Sequence, residues 1–183
     1  MKRRIYILFL FVCCLVGVLW DVVLIRKNRN LRIIKNTGDM LDFKFIKEFE
    51  TGDGQPILTV FRNRLDGNLE AGYGHVLSPA LWSVGDKIDK ATADDWFLDD
   101  IAKAVGVYGS SLAWDRFSKN QRRAIISHAY NTGSKSATII RLANAEKWAE
   151  LAEWWRKHYI TAKGVELAGL VRRRNYEADL LLL

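Results

Sequence analysis

Asp39-Met-Leu-Asp-Phe-Lys-Phe-Ile-Lys-Glu-Phe-Glu50, followed by Thr51-Gly-Asp-Gly54, is the stretch on which the fold turns. Leu41, Phe45, Ile46 and Phe49 recur at helical spacing and give one apolar face. The Gly-rich run after Thr51 stops the helix and leaves Glu50 at its end. Downstream, Ile57 to Phe61 is β-branched and aromatic, Leu65-Asp-Gly-Asn68 is a turn signal, and Leu69 to Tyr73 returns as a second strand. A helix followed by a short hairpin is therefore expected.

From Thr92 onward the pattern is helical. Thr92 is read as the cap of a helix carrying Trp96, Phe97, Ile101 and Val105. Ser118-Lys-Asn-Gln121 is a capping-box pattern before Ala124-Ile-Ile126, and that helix should stop near Asn131-Thr-Gly133. Asn144 is expected to start another helix with Trp148, Leu151 and Trp155 on one face. Gly169-Leu-Val opens a last helix running to Leu183. Trp148, Trp154 and Trp155 are read as core. The layout is α+β, mainly α: a small hairpin lobe and a helical lobe, with a cleft between them as the natural ligand site.

Working outward to the N-terminus, Ile5 to Trp20 is an unbroken apolar run that Val22 to Ile25 extends past Asp21. About 20 apolar residues span a bilayer as a helix, so residues 5–25 are read as a transmembrane signal-anchor. Residues 1–4 form a basic cytoplasmic n-region and 26–38 a polar tether, leaving 39–183 as the body. The leading Lys2-Arg-Arg4 places the N-terminus inside and exports the body. A cleaved signal peptide is the rival reading, but Gly17 is the one small apolar residue in the run. Cys13 and Cys14 both lie in this run and are read as apolar packing, so the body has neither a disulfide framework nor a cysteine nucleophile.

The net charge of the 183-residue chain is +7. Its first 35 residues hold eight basic groups and one acid, which leaves 20 of each sign in the remainder. A neutral body argues against a nucleic-acid partner. Gly72-Tyr-Gly74 is too short for a phosphate-binding fingerprint, and His75, His128 and His158 lack metal-ligand spacing. No Gly-x-Ser-x-Gly elbow occurs. No cofactor and no metal are expected, and the chain is read as a monomer.

What remains is carboxylates beside a hairpin. Glu50 packed against Phe49 would be partly desolvated, which favours its protonated form and suits a general acid for glycosidic bond cleavage. A solvated surface acid is the alternative. Glu70 lies on the return strand with His75 after it.

The string Phe45-Ile-Lys-Glu-Phe-Glu50, the hairpin, and Gly72-Tyr-Gly-His75 resemble the phage-type lysozymes (endolysins, glycoside hydrolase family 24). Val84-Gly-Asp-Lys-Ile88, Ala91-Thr-Ala93, the run Gln121 to Gly133, and Gly169-Leu-Val-Arg-Arg-Arg174 with Glu177 continue the likeness in order over residues 40–183. The resemblance implies a mainly helical two-lobed fold. It also implies a muramidase that cleaves peptidoglycan between N-acetylmuramic acid and N-acetylglucosamine in cell-wall lysis.

Under this resemblance Glu50 takes the place of the family's acid. The family's second carboxylate follows an aromatic-x pair, and here Phe61-Arg62 is followed by Asn63; counted back from His75, the slot falls on Arg64. The family's Thr five residues before the His is Glu70. Three readings stay open: Glu70 supplies the missing carboxylate, Asp66 at the turn serves, or the cleft only binds glycan as a silent wall-binding protein. His75 is read as a structural hydrogen-bonding group that orients Glu50, or as a proton carrier. Among Arg172 to Arg174, Arg173 is the candidate to set a guanidinium near Glu50; a solvated helix face is the other reading. Tyr73 and Trp114 are candidates to stack on sugar rings. Membrane anchors that escape the bilayer in such relatives are rich in Gly and Ala. Phe, Leu and Val dominate here, so the anchor is expected to stay embedded.

Overall fold

The computed structural model describes residues 42–64 and 66–183. The expected n-region, signal-anchor with its two cysteines, and tether lie outside the described residues. Among the described residues no helix is long and apolar enough to cross a membrane.

The opening helix, α1, spans Lys44–Thr51 and buries Phe45 and Ile46. Gly52 ends it with φ +85°, a conformation that costs a glycine little. Three antiparallel strands follow in sequence order: β1 (Ile57–Arg62), β2 (Leu69–Gly72) and β3 (His75–Leu77). The third strand goes beyond the expected two-stranded hairpin. His75-Val-Leu77 is too short to show periodicity, and it pairs only because Gly72 and Gly74 turn the chain at positive φ.

The register decides which side chains share a face. Phe61 sits opposite Glu70, and Glu70 opposite Val76. Leu69 and Ala71 point the other way and are buried with Val60 and Leu77 in a small core, which Trp82, Ile88 and Trp96 cover.

The long helix α2 spans Lys90–Tyr108. Its cap is Asp89, whose carboxylate accepts the Thr92 amide, so the expected Thr92 cap moves three residues upstream. Helix α3 (Lys119–Thr132) has the capping box formed by Ser118 and Gln121 and ends at Gly133 in the left-handed conformation. Helix α4 spans Ala137–Asn144 and α5 spans Trp148–Arg156. Asn144 therefore closes a helix instead of opening one. Its amide holds the loop before α3, accepting from the Ala113 amide and donating to the Ser111 carbonyl. Helix α6 covers Ala168–Leu182 after a small exposed hairpin, β4 (Thr161–Ala162) and β5 (Val165–Glu166).

The main core joins α1 to all the other helices. Ile46, Ile101, Ile125, Ile126, Leu151, Trp155 and Leu181 are all almost fully buried in it. Trp155 is enclosed as expected, while Trp148 and Trp154 pack partly buried against the same core. Helix α2 contributes to both cores, through Ile101 to the large one and Trp96 to the small one. The two lobes therefore share one helix, α2, as a common wall. Lys47 ties α1 to it by a 2.6 Å ion pair with Asp94. Burial of the Asp94 carboxylate opposes ionisation, but hydrogen bonds from Lys47 and Lys90 outweigh it and hold the group at about 2.

Candidate active site

Glu50 occupies the last turn of α1, two residues before Gly52 ends the helix. Its side chain is 22% exposed, and Arg173 Nη1 donates to its Oε1 at 2.6 Å. The other oxygen, Oε2, faces the turn between β2 and β3: a Cβ added to Gly74 would stand 3.8 Å from it. Glu50 thus has one oxygen held by a cation and the other turned to the hairpin.

The guanidinium has few ways to move. Arg173 is 4% exposed, and its remaining nitrogens reach Glu177 Oε1 at 3.3 Å and the Ser127 carbonyl at 3.2 Å. Glu177 is itself fully buried, pushed toward its neutral form by burial and held back by Arg174 and Arg173. Ser127 Oγ donates to it at 2.5 Å, and Arg174 Nη2 donates to Asn131. Arg174 therefore belongs to the interior and Arg172 to the surface. The three consecutive arginines, which sequence could not sort, take three different environments.

Glu70 lies on β2, facing away from the small core. Asn63 Nδ2 donates to its Oε1 at 2.8 Å, so these two candidate residues touch. Burial raises the Glu70 carboxyl above its ordinary value; the Asn63 hydrogen bond lowers it, and the charges of Asp66 and Glu50 raise it further. Asp66 instead serves the turn, accepting from the Asn68 amide at 3.0 Å and from its side-chain nitrogen at 2.8 Å. Glu48 is a surface group, 3.7 Å from Lys44.

His75 Nδ1 meets Asp100 Oδ2 at 2.7 Å, and the ring stacks on Trp96 with centroids 4.6 Å apart. Its partner is thus on α2, and its hydrogen bond fastens β3 to that helix. The expected His75 bond to Glu50 is therefore not what orients the acid; Arg173 holds it instead. Asp100 had no signal in the sequence, because nothing in its helix marks it as a partner for a strand 25 residues earlier.

The two proposed sugar platforms are core residues. Tyr73 is 2% exposed: its hydroxyl donates to Asp94 at 3.1 Å, Phe97 packs on its ring edge-on, and the Lys47 ammonium lies 4.3 Å over it. Trp114 is 5% exposed, donates to the Gly109 carbonyl and packs against Phe117. Neither ring has a free face for a sugar, since the hydrophobic effect has already closed both.

A groove of about 360 Å³ opens beside the Glu50 turn, lined by Gly74, His75, Val76, Asp100 and Tyr130 among others. That is within the range of ligand clefts, roughly 300–1,000 Å³. Tyr130 braces its wall, donating to the Tyr73 carbonyl at 2.8 Å. Among the described residues no group of three or more His, Cys, Asp or Glu side chains is placed to hold a metal ion. The chemistry available is that of two carboxyl groups in different environments. Glu50 and Glu70 do not themselves line this groove; they adjoin it through Gly74, which faces Glu50 Oε2, and through Val76, the cross-strand partner of Glu70.

A model of the phage lysozyme family matches residues 56–177, a stretch that begins just after Glu50. Among solved structures, the endolysin from Escherichia coli O157:H7 phage FAHEc1 is 29% identical, with a TM-score of 0.62 over 79% of this chain and 94% of that one. The muramidase domain of SpmX from Asticaccaulis excentricus is 24% identical, with a TM-score of 0.63 over 77% of this chain and 94% of its own. The active form of the P1 phage endolysin Lyz is 17% identical, with a TM-score of 0.64 over 85% and 93%. The last two speak to the fold alone, which is mainly helical and lysozyme-like. No curated protein sequence matches the chain.

Proposed function

This chain belongs to the phage lysozyme family, a family of peptidoglycan hydrolases, and on that premise we propose that it is an active muramidase. The bond cleaved is the β-1,4 link between N-acetylmuramic acid and N-acetylglucosamine, with Glu50 as general acid and Glu70 as the second carboxylate. The observation that carries this reading is the division of Glu50's two oxygens. Arg173 fixes Oε1, which leaves Oε2 at the hairpin turn whose Gly74 and His75 line the groove. Oε2 is the oxygen positioned to carry a proton to a glycosidic oxygen lying there.

In the proposed reaction the proton on Glu50 passes to the bridging oxygen as the C1–O bond breaks. Glu70 then acts on C1 in one of two ways. As a base it takes a proton from water, which attacks C1 and inverts it. As a nucleophile it bonds to C1, and water activated by the now ionised Glu50 releases the sugar with retention. Asn63 holds Glu70 in place by its amide and contributes no charge. The carboxylate that the family carries after the aromatic-x pair has in effect moved to the neighbouring strand.

We further propose that residues 5–25 anchor the chain in the inner membrane with the body on the periplasmic side. The support is the apolar run and the basic residues before it. Alkali should fail to extract the full-length chain from membranes. Its appearance in the soluble periplasmic fraction would refute the anchor.

The enzymatic reading is tested with purified full-length protein in detergent on purified peptidoglycan. New reducing ends, lost in Glu50→Gln, are expected. Binding without reducing ends would instead identify a silent wall-binding protein, the reading favoured by the neutral Asn63.

A further inference from the structure

Helix α3 presents Ser127 and Tyr130 one turn apart, at a spacing that makes them neighbours on the helix surface. Ser127 grips the guanidinium that holds Glu50 Oε1: its carbonyl and its Oγ both accept from Arg173 Nη2, at 3.2 and 3.3 Å. The Tyr130 hydroxyl donates to the Tyr73 carbonyl at 2.8 Å. Tyr73 directly precedes Gly74, the glycine that Glu50 Oε2 faces. One helix therefore holds the cation on one oxygen of the acid and the backbone opposite the other.

The turn has reason to need that anchor. Gly72 and Gly74 flank Tyr73, and both take positive φ, +67° and +87°. Glycine has more backbone freedom than any other residue, so the stretch between two glycines is oriented largely by what it bonds to. On the Gly72 side the chain packs on α2, where a Cβ would stand 3.4 Å from that of Ala93. On the Gly74 side the atom a Cβ would meet is Glu50 Oε2 itself, at 3.8 Å. The Tyr130 ring is braced by Phe97 of α2, with centroids 5.7 Å apart, so the hydroxyl reaches the turn from the packed core. Burial, and after it the charge of Glu50, push the phenol above the ordinary tyrosine value, which keeps it a neutral donor.

Proton delivery is sensitive to this arrangement. A general acid works at about 2.6–3.2 Å from the oxygen it protonates, and a misplacement of about 1 Å can cost roughly 10²-fold in rate. We infer that Tyr130 is a positioning residue: by holding the Tyr73–Gly74 peptide, its hydroxyl fixes how far the hairpin turn stands from Glu50 Oε2. The inference rests on the muramidase reading and assigns Tyr130 to the acid step, not to the binding of glycan.

The test is Tyr130→Phe in the full-length protein, in detergent, on purified peptidoglycan. The variant keeps the ring against Phe97 and removes only the donor. Its kcat should fall about tenfold while KM stays within about twofold, because the groove keeps its walls and the acid loses its geometry. Tyr130→para-aminophenylalanine, which restores a donor, should recover most of kcat. Rates are compared at a temperature where melting curves show all three proteins folded. An unchanged kcat, a loss confined to KM, or no recovery with the amine overturns the inference. A spectroscopic arm is independent of turnover. The Gly74 amide shares a peptide unit with the Tyr73 carbonyl, so its NMR resonance should move in Tyr130→Phe. The Glu50 side-chain carboxyl carbon should move with it, while the amide of Thr92 in the distant α2 cap stays in place. Unmoved Gly74 and Glu50 resonances overturn the inference. Failure of the muramidase reading looks different: the parent then releases no reducing ends, and the two resonances still decide whether Tyr130 sets the turn.

Discussion

Arg173 donates one nitrogen to Glu50 at 2.6 Å and another to Glu177 at 3.3 Å, so a single buried guanidinium links the end of the first helix to the interior of the last. The link positions the candidate acid from the helical lobe. It also makes the acid dependent on the packing of α6 against α3, because Ser127 on α3 is the guanidinium's third partner.

Removing that guanidinium should therefore cost stability as well as activity. Arg173→Met leaves Glu177 fully buried with Arg174 as its remaining cation, and such broken buried pairs cost about 3–5 kcal/mol. Urea denaturation checks the figure. Arg173→Lys should recover part of it, since it restores the charge but not the fork. A double-mutant cycle with Glu50→Gln should show coupling, and strict additivity would mean that the 2.6 Å contact is absent in solution.

Glu70 sets a pH signature. If it works as a carboxylate, activity must fall as pH drops through its raised value, because protonation removes the base or nucleophile. The Asn63 hydrogen bond pulls in the other direction by stabilising the charged form. Asn63→Ala should therefore move the acid limb of the kcat/KM profile to higher pH. Glu70→Gln should lower kcat by roughly 10²-fold or more at every pH. An unchanged acid limb in Asn63→Ala would detach Glu70 from the mechanism.

Local patterns carried much of the fold. The capping box at Ser118 and the apolar stripe of α1 are sequence-near interactions, and both are present. Elements fixed by tertiary contacts leave no such local pattern. Asn144 has the chemistry of a helix start, yet its amide is taken up by the chain at Ser111 and Ala113, 31 to 33 residues away. β3 exists only by pairing with β2. In the site, Glu50 was legible from its position before a glycine-rich stop. The Asp100 partner of His75 was not, since no periodicity records a contact between a strand and a helix across the cleft. Tyr73 and Trp114 looked like sugar platforms because an aromatic residue near a groove reads the same from sequence whether its face is open or closed.

Their burial has a measurable consequence. Trp114→Ala should cost about 3–5 kcal/mol as a large core deletion, and Tyr73→Phe about 1 kcal/mol through the lost hydroxyl bond to Asp94. Neither should change KM for peptidoglycan in the folded fraction. A raised KM with unchanged melting temperature would return either ring to the substrate groove.

His128 makes the helical lobe acid-sensitive. It lies fully buried on α3 against Trp155 and Tyr159, and neither ring nitrogen has a hydrogen-bond partner among the described residues. Burial first, then the charges of Arg174 and Arg173, push its pKa from 6.5 down to about 2. Between those values the unfolded chain binds a proton that the folded chain refuses, so folding stability rises with pH across that window and falls on acidification. Each pH unit below 6.5 should cost about 1.4 kcal/mol from this group alone. Urea midpoints at pH 7, 5.5 and 4 for the parent and for His128→Leu give the comparison. The parent should lose stability more steeply, and the difference between the two slopes isolates the histidine from Asp94, whose contribution is lost only as pH falls from 3.8 toward about 2. Parallel slopes would mean that His128 is hydrated or partnered in solution, with its charge accepted inside the lobe.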